Sequence, residues 1–191
     1  MTMNKILLSL AAALAICFTA CAQKKEKQNM DSNSSKTLVA YFSATGTTAK
    51  AARSIADITG GELFEIAPQN LYTDADLDWN DKQSRSSVEM NNAQSRPALK
   101  AKKADIAGYD VVFIGYPIWW NLAPRIINTF IESHDLKGKV IIPFATSGGS
   151  SISNSISELK KSYPNLNWKE GKLLNRMSNN AIQNWINSII D

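Results

Sequence analysis

The chain has 191 residues, 44% of them hydrophobic and 20% charged, with a formal net charge of +4; that is enough for one folded core and short for two. Setting aside Lys5, and then Lys24, Lys25 and Lys27 with Glu26 and Asp31, leaves +2 on residues 36–191, too little and too scattered for a nucleic-acid surface. A single histidine, His134, and two cysteines confined to Cys17 and Cys21 argue against metal sites, His-dependent triads and internal disulfides.

Lys5 precedes an uncharged, mostly apolar stretch from Ile6 to Ala20, and Lys24-Lys25-Glu26-Lys27 follows. This order predicts a secretory signal peptide over residues 1–20. The uncharged stretch reaches Gln23, 18 residues in all, so a retained single-span anchor is the competing reading. Small Ala20 favours cleavage, and Phe18-Thr19-Ala20-Cys21 resembles a bacterial lipoprotein cleavage box, with Phe18 where that box has Leu. The resemblance implies lipid on Cys21 and an exported protein, membrane-anchored on the outer face of the bacterial inner membrane or on the outer membrane. Residues 21–35 are polar, rich in Asn, Gln and Ser and without apolar periodicity, which predicts a flexible tether. The folded domain is residues 36–191.

Thr37 to Phe42 are β-branched, aliphatic or aromatic and predict a strand; Thr47 to Thr59 are rich in Ala and predict a helix that Gly60 stops. Between them lies Ser43-Ala44-Thr45-Gly46-Thr47-Thr48, small and hydroxylated with no cation. The first amides of a helix lack intrahelical acceptors and carry the positive end of its dipole, so an anion there gains about 0.3 to 2 kcal/mol. Hydroxyl donors and a glycine suit a phosphate, although Ser and Thr also serve simply as helix caps.

Glu62 to Ile66 alternates polar and apolar residues and predicts an edge-like strand that Pro68 ends. Residues 69–105 are weakly patterned; one helix through Leu77, Val88 and Met90 with long flanking loops is the expectation, and Trp79 sits among charges. Asp110 to Tyr116 is a nearly continuous apolar run, as in a strand buried on both faces, and it feeds Pro117-Ile118-Trp119-Trp120-Asn121. A helix follows over Leu122–Glu132. His134, just beyond it, reads as a surface residue at a helix end rather than a base or ligand. Val140 to Ala145 predicts the next strand and runs into Thr146-Ser147-Gly148-Gly149-Ser150-Ser151, whose glycines allow a tight backbone-lined surface. A helix from Ile152 to Tyr163, a short strand near Trp168–Leu174 and a terminal helix complete five strand–helix alternations. Such alternation implies parallel strands, right-handed crossovers and helices on both faces.

Three loops after three parallel strands gather at the carboxyl edge of the sheet, where open α/β folds bind ligands. Tyr-Phe-Ser-x-Thr-Gly at Tyr41–Gly46, Pro-Ile-Trp-Trp at Pro117–Trp120 and Thr-Ser-Gly-Gly at Thr146–Gly149 together resemble the bacterial flavodoxin group, over residues 36–191. The resemblance implies an α/β, flavodoxin-like, doubly wound five-stranded parallel sheet of order 2-1-3-4-5 and an FMN cofactor. It assigns cofactor binding to Ser43, Ala44, Thr45, Gly46, Thr47 and Thr48 at the phosphate, and to Pro117, Ile118, Trp119, Trp120, Thr146, Ser147, Gly148 and Gly149 around the ring. One tryptophan is expected to stack on the ring and the other to pack. No metal and no separate catalytic set are implied. Many electron-transferring flavodoxins use a glycine-containing peptide flip beside the flavin; Pro117–Leu122 contains no glycine, so that device is not carried over. Nor are the partners of the acidic shuttles, because this domain is not acidic. The implied function is electron transfer with a redox partner protein or small acceptor. An FMN-dependent NAD(P)H:quinone or small-acceptor reductase is the alternative, and a flavin-free binding module of the same fold a further one.

Overall fold

The computed structural model describes residues 35–100 and 105–190. The leader, Cys21 and the tether to Ser34 lie outside the described residues.

Five parallel strands follow one another in the order β2-β1-β3-β4-β5: β1 is Thr37–Tyr41, β2 Glu62–Glu65, β3 Val111–Pro117, β4 Val140–Thr146 and β5 Asn167–Trp168. A further short strand, β6 (Lys172–Leu173), also pairs parallel with β4. The helices are α1 (Thr47–Thr59), α2 (Arg85–Asn91), α3 (Arg125–Ser133), α4 (Ser153–Ser162) and α5 (Asn179–Ile190).

Side-chain alternation along each strand explains the two cores. Leu38, Ala40, Phe42, Val112, Ile114 and Tyr116 face one way and pack with Ile126, Ile127, Phe130 and Ile131 of α3 and Leu159 of α4. Val39, Tyr41, Val111, Phe113, Ile142 and Phe144 face the other way, against Ala51, Ala52, Ile55 and Ala56 of α1 and Ile182, Trp185 and Ile186 of α5. Each fully buried aliphatic side chain contributes about 1.5 to 3 kcal/mol. Two-sided burial is what makes β3 and β4 read as unbroken apolar runs, whereas edge strand β2 exposes three of its four residues.

The last strand departs from the expected single run of Trp168–Leu174, and Pro143 supplies the reason. Ile141 accepts from Lys169 N at 2.8 Å and Ala145 accepts from Leu174 N at 2.8 Å, so alternate β4 residues face this neighbour and Pro143 is the one between. Proline has no amide hydrogen to offer there. Trp168 to Leu173 covers one residue more than the Ile141 to Ala145 that it flanks, and the ladder breaks at Lys169–Gly171.

The reading of His134 as a surface residue is also corrected. It is only 9% exposed, its Nδ1 lies 2.7 Å from the carbonyl of Phe130, and its ring centroid is 4.3 Å from that of Phe130. It closes α3 at the end away from the three loops.

Candidate functional site

At Ser43 the chain leaves β1, and Gly46, with φ +85°, turns it into α1 as the N-cap. That conformation favours glycine, and Gly46 has no side chain to satisfy the helix's first amides. No side chain caps α1 and no acidic residue occupies its first turn, so the positive end of the dipole is uncompensated. Ser43 Oγ is buried with no hydrogen-bond partner. Thr45, Gly46 and Thr47 are exposed.

Thr48 and Thr146 are buried, and their Oγ1 atoms hydrogen-bond at 2.8 Å, which ties the first helix to the end of β4. The sequence reading placed both at the cofactor; the structure engages both hydroxyls with each other. Thr48→Val is expected to cost about 1 to 3 kcal/mol in urea unfolding, because it strands a buried hydroxyl. Adding Thr146→Val should recover most of that loss, and a strictly additive double-mutant cycle would refute the coupling.

β3 ends in Pro117, and Ile118 N donates to Thr146 O at 2.8 Å, so the second and third loops stay paired beyond the strands. Behind them the Tyr116 hydroxyl meets Ser155 Oγ at 3.1 Å. Ser155 gives its own hydrogen to Ile152 O at 2.8 Å, so Tyr116 is the donor. Burial pushes its phenol up to about 12.

Trp119 and Leu122 exchange both backbone hydrogen bonds, at 3.0 and 2.9 Å, and the residues between them, Trp120 and Asn121, have φ +46° and +63°. This is a two-residue turn of the primed type, which needs positive φ twice. Asparagine tolerates that region and tryptophan does not, so Trp120 holds local strain. The two tryptophans diverge here. Trp119 packs edge-on to Phe42 and Tyr72, centroids 5.6 and 5.3 Å away, while Trp120 is 46% exposed.

In the third loop Ser147 Oγ accepts from Gly149 N at 3.1 Å and Ser150 N at 2.8 Å, which leaves only its hydroxyl hydrogen for a ligand. Asn175 brackets Ser147 from the turn after β6, accepting from its amide at 2.8 Å and donating to its carbonyl. A Cβ on Gly148 or Gly149 would meet nothing within 4 Å, so these glycines keep open the space that a side chain would fill.

These elements enclose one cavity of about 610 Å³. Ala44, Thr45, Pro117, Ile118, Trp119, Trp120, Ser147, Gly148 and Gly149 line it, together with Ser150 and with Leu77, Trp79 and Ser86, which sequence reasoning missed. None of the lining side chains is charged, and the volume lies within the ordinary range of cofactor sites. The missed residues sit on the weakly patterned segment, which is held by side chains. Arg85 Nε donates to Glu89 at 2.7 Å and Arg85 Nη1 to Asn70 O at 2.7 Å, and the guanidinium lies 4.0 Å from the Tyr72 ring centre. The Tyr72 hydroxyl donates to Glu89; burial first, and then that carboxylate, raise its pKa far above the usual phenol value. The visible sign in the sequence was Trp79, a large aromatic among charges and 72% exposed.

A family model described as flavodoxin matches residues 36–189. The chain belongs to the flavodoxin family. Two crystal structures are alike at high identity, both of candidate flavoproteins. One, from Bacteroides eggerthii, has 67% identity and a TM-score of 0.80, over 82% of this chain and 99% of that one. The other, from Bacteroides uniformis, has 61% identity and a TM-score of 0.79, over 80% and 98%. A Lactobacillus acidophilus flavoprotein in complex with FMN shares the flavodoxin fold at 23% identity and a TM-score of 0.63, over 80% of this chain and 99% of that one. A search of curated proteins found no match. The two Bacteroides chains are thus matched over nearly their whole lengths.

Proposed function

We propose that residues 36–191 bind FMN among the three loops and carry electrons between a donor and an acceptor. One observation carries this reading: the Ser43 hydroxyl is buried and unpartnered inside an uncapped strand-to-helix turn. Such an atom costs stability until an acceptor reaches it, and a phosphate oxygen beside free helix amides is one. The flavin bound by the Lactobacillus acidophilus relative supports FMN as the ligand. Ser43, Thr45, Gly46, Thr47 and the first α1 amides would hold the phosphate. Ala44, Pro117, Ile118, Trp119, Ser147, Gly148 and Gly149 would enclose the ring, with Trp120 stacked on it, while Thr48 and Thr146 keep the two loops in register.

FMN, when bound, supplies the redox chemistry. The uncharged lining of the cavity would exclude water from the ring, disfavour added negative charge there and so lower the potential. A carrier is preferred to a reductase because Trp79, 72% exposed, leaves an apolar surface beside the cavity that a protein partner would cover on docking.

The test is to load the purified domain with FMN and add NADH or NADPH without air. A carrier stays yellow until light or a partner reduces it; rapid bleaching by nicotinamide would replace this reading with the reductase. In the same titrations Ser43→Ala should weaken FMN by about tenfold or more and stabilise the flavin-free protein by about 1 kcal/mol. Unchanged affinity would remove the phosphate assignment.

Export and lipid attachment at Cys21 complete the proposal and rest on the leader alone. Cys21→Ala in the full chain should move the protein from the membrane fraction to the soluble one; a variant that stays with the membrane points to the retained anchor.

A further inference from the structure

A second cavity, of about 440 Å³, is bordered by Thr146 of the Thr48–Thr146 tie. Thr47, Lys50 and Ser54 of α1, Thr146, and Arg176 and Asn179 of the β6–α5 junction form its polar part; Ala51, Leu174, Met177 and Ile182 form its apolar part. No carboxylate lines it. We propose that this cavity is a separate binding site for a phosphomonoester carried on an apolar or heteroaromatic body, of nucleoside monophosphate size.

The argument begins with the cations. Arg85 and Arg96 are engaged by Glu89 and Glu132, and Arg125 donates to Met90 O at 3.0 Å. Among the described residues the side chains of Lys50 and Arg176 make no ion pair and no hydrogen bond, and both line this cavity. Two cations that line one cavity repel each other, and an anion between them removes that cost. Guanidinium and ammonium are also complementary in kind, the first a planar fork for two phosphate oxygens and the second a mobile point charge. Arg176 stands in an unusual backbone conformation, φ +52°, which a non-glycine residue adopts at a cost.

The apolar part decides against inorganic phosphate alone. Met177, half-buried and adaptable, is the apolar contact open to a flat or aliphatic body, and the buried Leu174 and Ile182 back it. The volume suits a ligand of that size and is distinct from the uncharged cavity between the three loops. Thr47 also stands at the phosphate end of the proposed FMN site, but none of the charged residues of this cavity lines the other one.

The experiment is calorimetric titration of the purified full chain with 5′-AMP, with and without saturating FMN, and with inorganic phosphate and adenosine as part-ligands. AMP should bind in the submillimolar range in both states, and each part-ligand about tenfold or more weaker. Lys50→Gln and Arg176→Gln should each weaken AMP about tenfold while FMN affinity stays within about twofold. Lys50→Gln lies on an exposed helix face and keeps the test sound if Arg176→Gln perturbs the junction. The absence of AMP binding, its abolition by FMN, phosphate binding as tightly as AMP, or undiminished binding by both variants would each overturn the proposal. Failure of FMN to bind while AMP binds would leave this site standing and remove the flavin reading instead.

Discussion

Gly115→Ala is expected to cost about 3 kcal/mol of folding stability, read as a fall in the urea midpoint. Gly115 pairs with Phe144 across β3 and β4, and a Cβ at position 115 would lie 2.1 Å from Phe144 Cζ and 2.4 and 2.6 Å from the two Cε atoms. The clash is with a ring edge, not a flexible tip. Phe144 is fully buried among Tyr41, Phe113, Ile142 and Leu174, with no direction in which to yield. The strands must therefore part, and they are the strands that carry Pro117–Trp120 and Thr146–Gly149. Ligand affinity in the cavity should fall together with stability. Adding Phe144→Leu to Gly115→Ala should restore most of both, because it removes the ring that the new methyl meets. A loss below about 1 kcal/mol, or a second substitution that makes matters worse, would show that this ring does not set the spacing.

Trp120→Gly should separate stability from affinity. On the proposed reading it removes the stacking partner, worth about 1 to 3 kcal/mol, so FMN should bind about 5- to 150-fold more weakly. Stability should change by less than about 1 kcal/mol, since relief of the left-handed conformation offsets the lost contacts and the added freedom of glycine. Trp119→Gly makes the contrast: Trp119 is wedged against Phe42 and Tyr72, and its loss should lower stability by about 3 kcal/mol or more. If Trp120→Gly leaves FMN affinity unchanged, the exposed tryptophan does not stack on the flavin.

The three loops were legible because each follows a strand buried on both faces, and such strands announce themselves as unbroken apolar runs. The division of labour between Trp119 and Trp120 was legible only as an expectation that they would differ. Which one turns outward depends on the left-handed pair Trp120-Asn121, and no glycine marks it. Thr48 and Thr146 illustrate a limit of another kind. Both belong to turns rich in hydroxyls, and only their proximity in space, 2.8 Å although 98 residues apart in sequence, shows that they satisfy each other. Trp79 and Ser86 escaped because the segment bearing them is fixed by Arg85, Tyr72 and Glu89 rather than by periodic burial. His134 was misplaced for the same reason: a polar residue after a helix usually faces water, and here Phe130 and Phe64 close over it. Pro143 sits inside an apolar run whose pattern it does not disturb; its missing donor is felt one strand away.

That missing donor has a consequence for how this architecture can be lengthened. Lys169 and Glu170 are exposed, and their stretch of the sheet has already given up its regular pairing to β4. Extra peptide spliced between them would sacrifice no ladder bond, provided that Gly171 keeps its place under Ile156 and Pro143, where a Cβ would lie 2.4 Å from Ile156 Cδ1. The far side of the sheet is thus a socket into which new surface could be grafted while the ligand-bearing edge stays as it is.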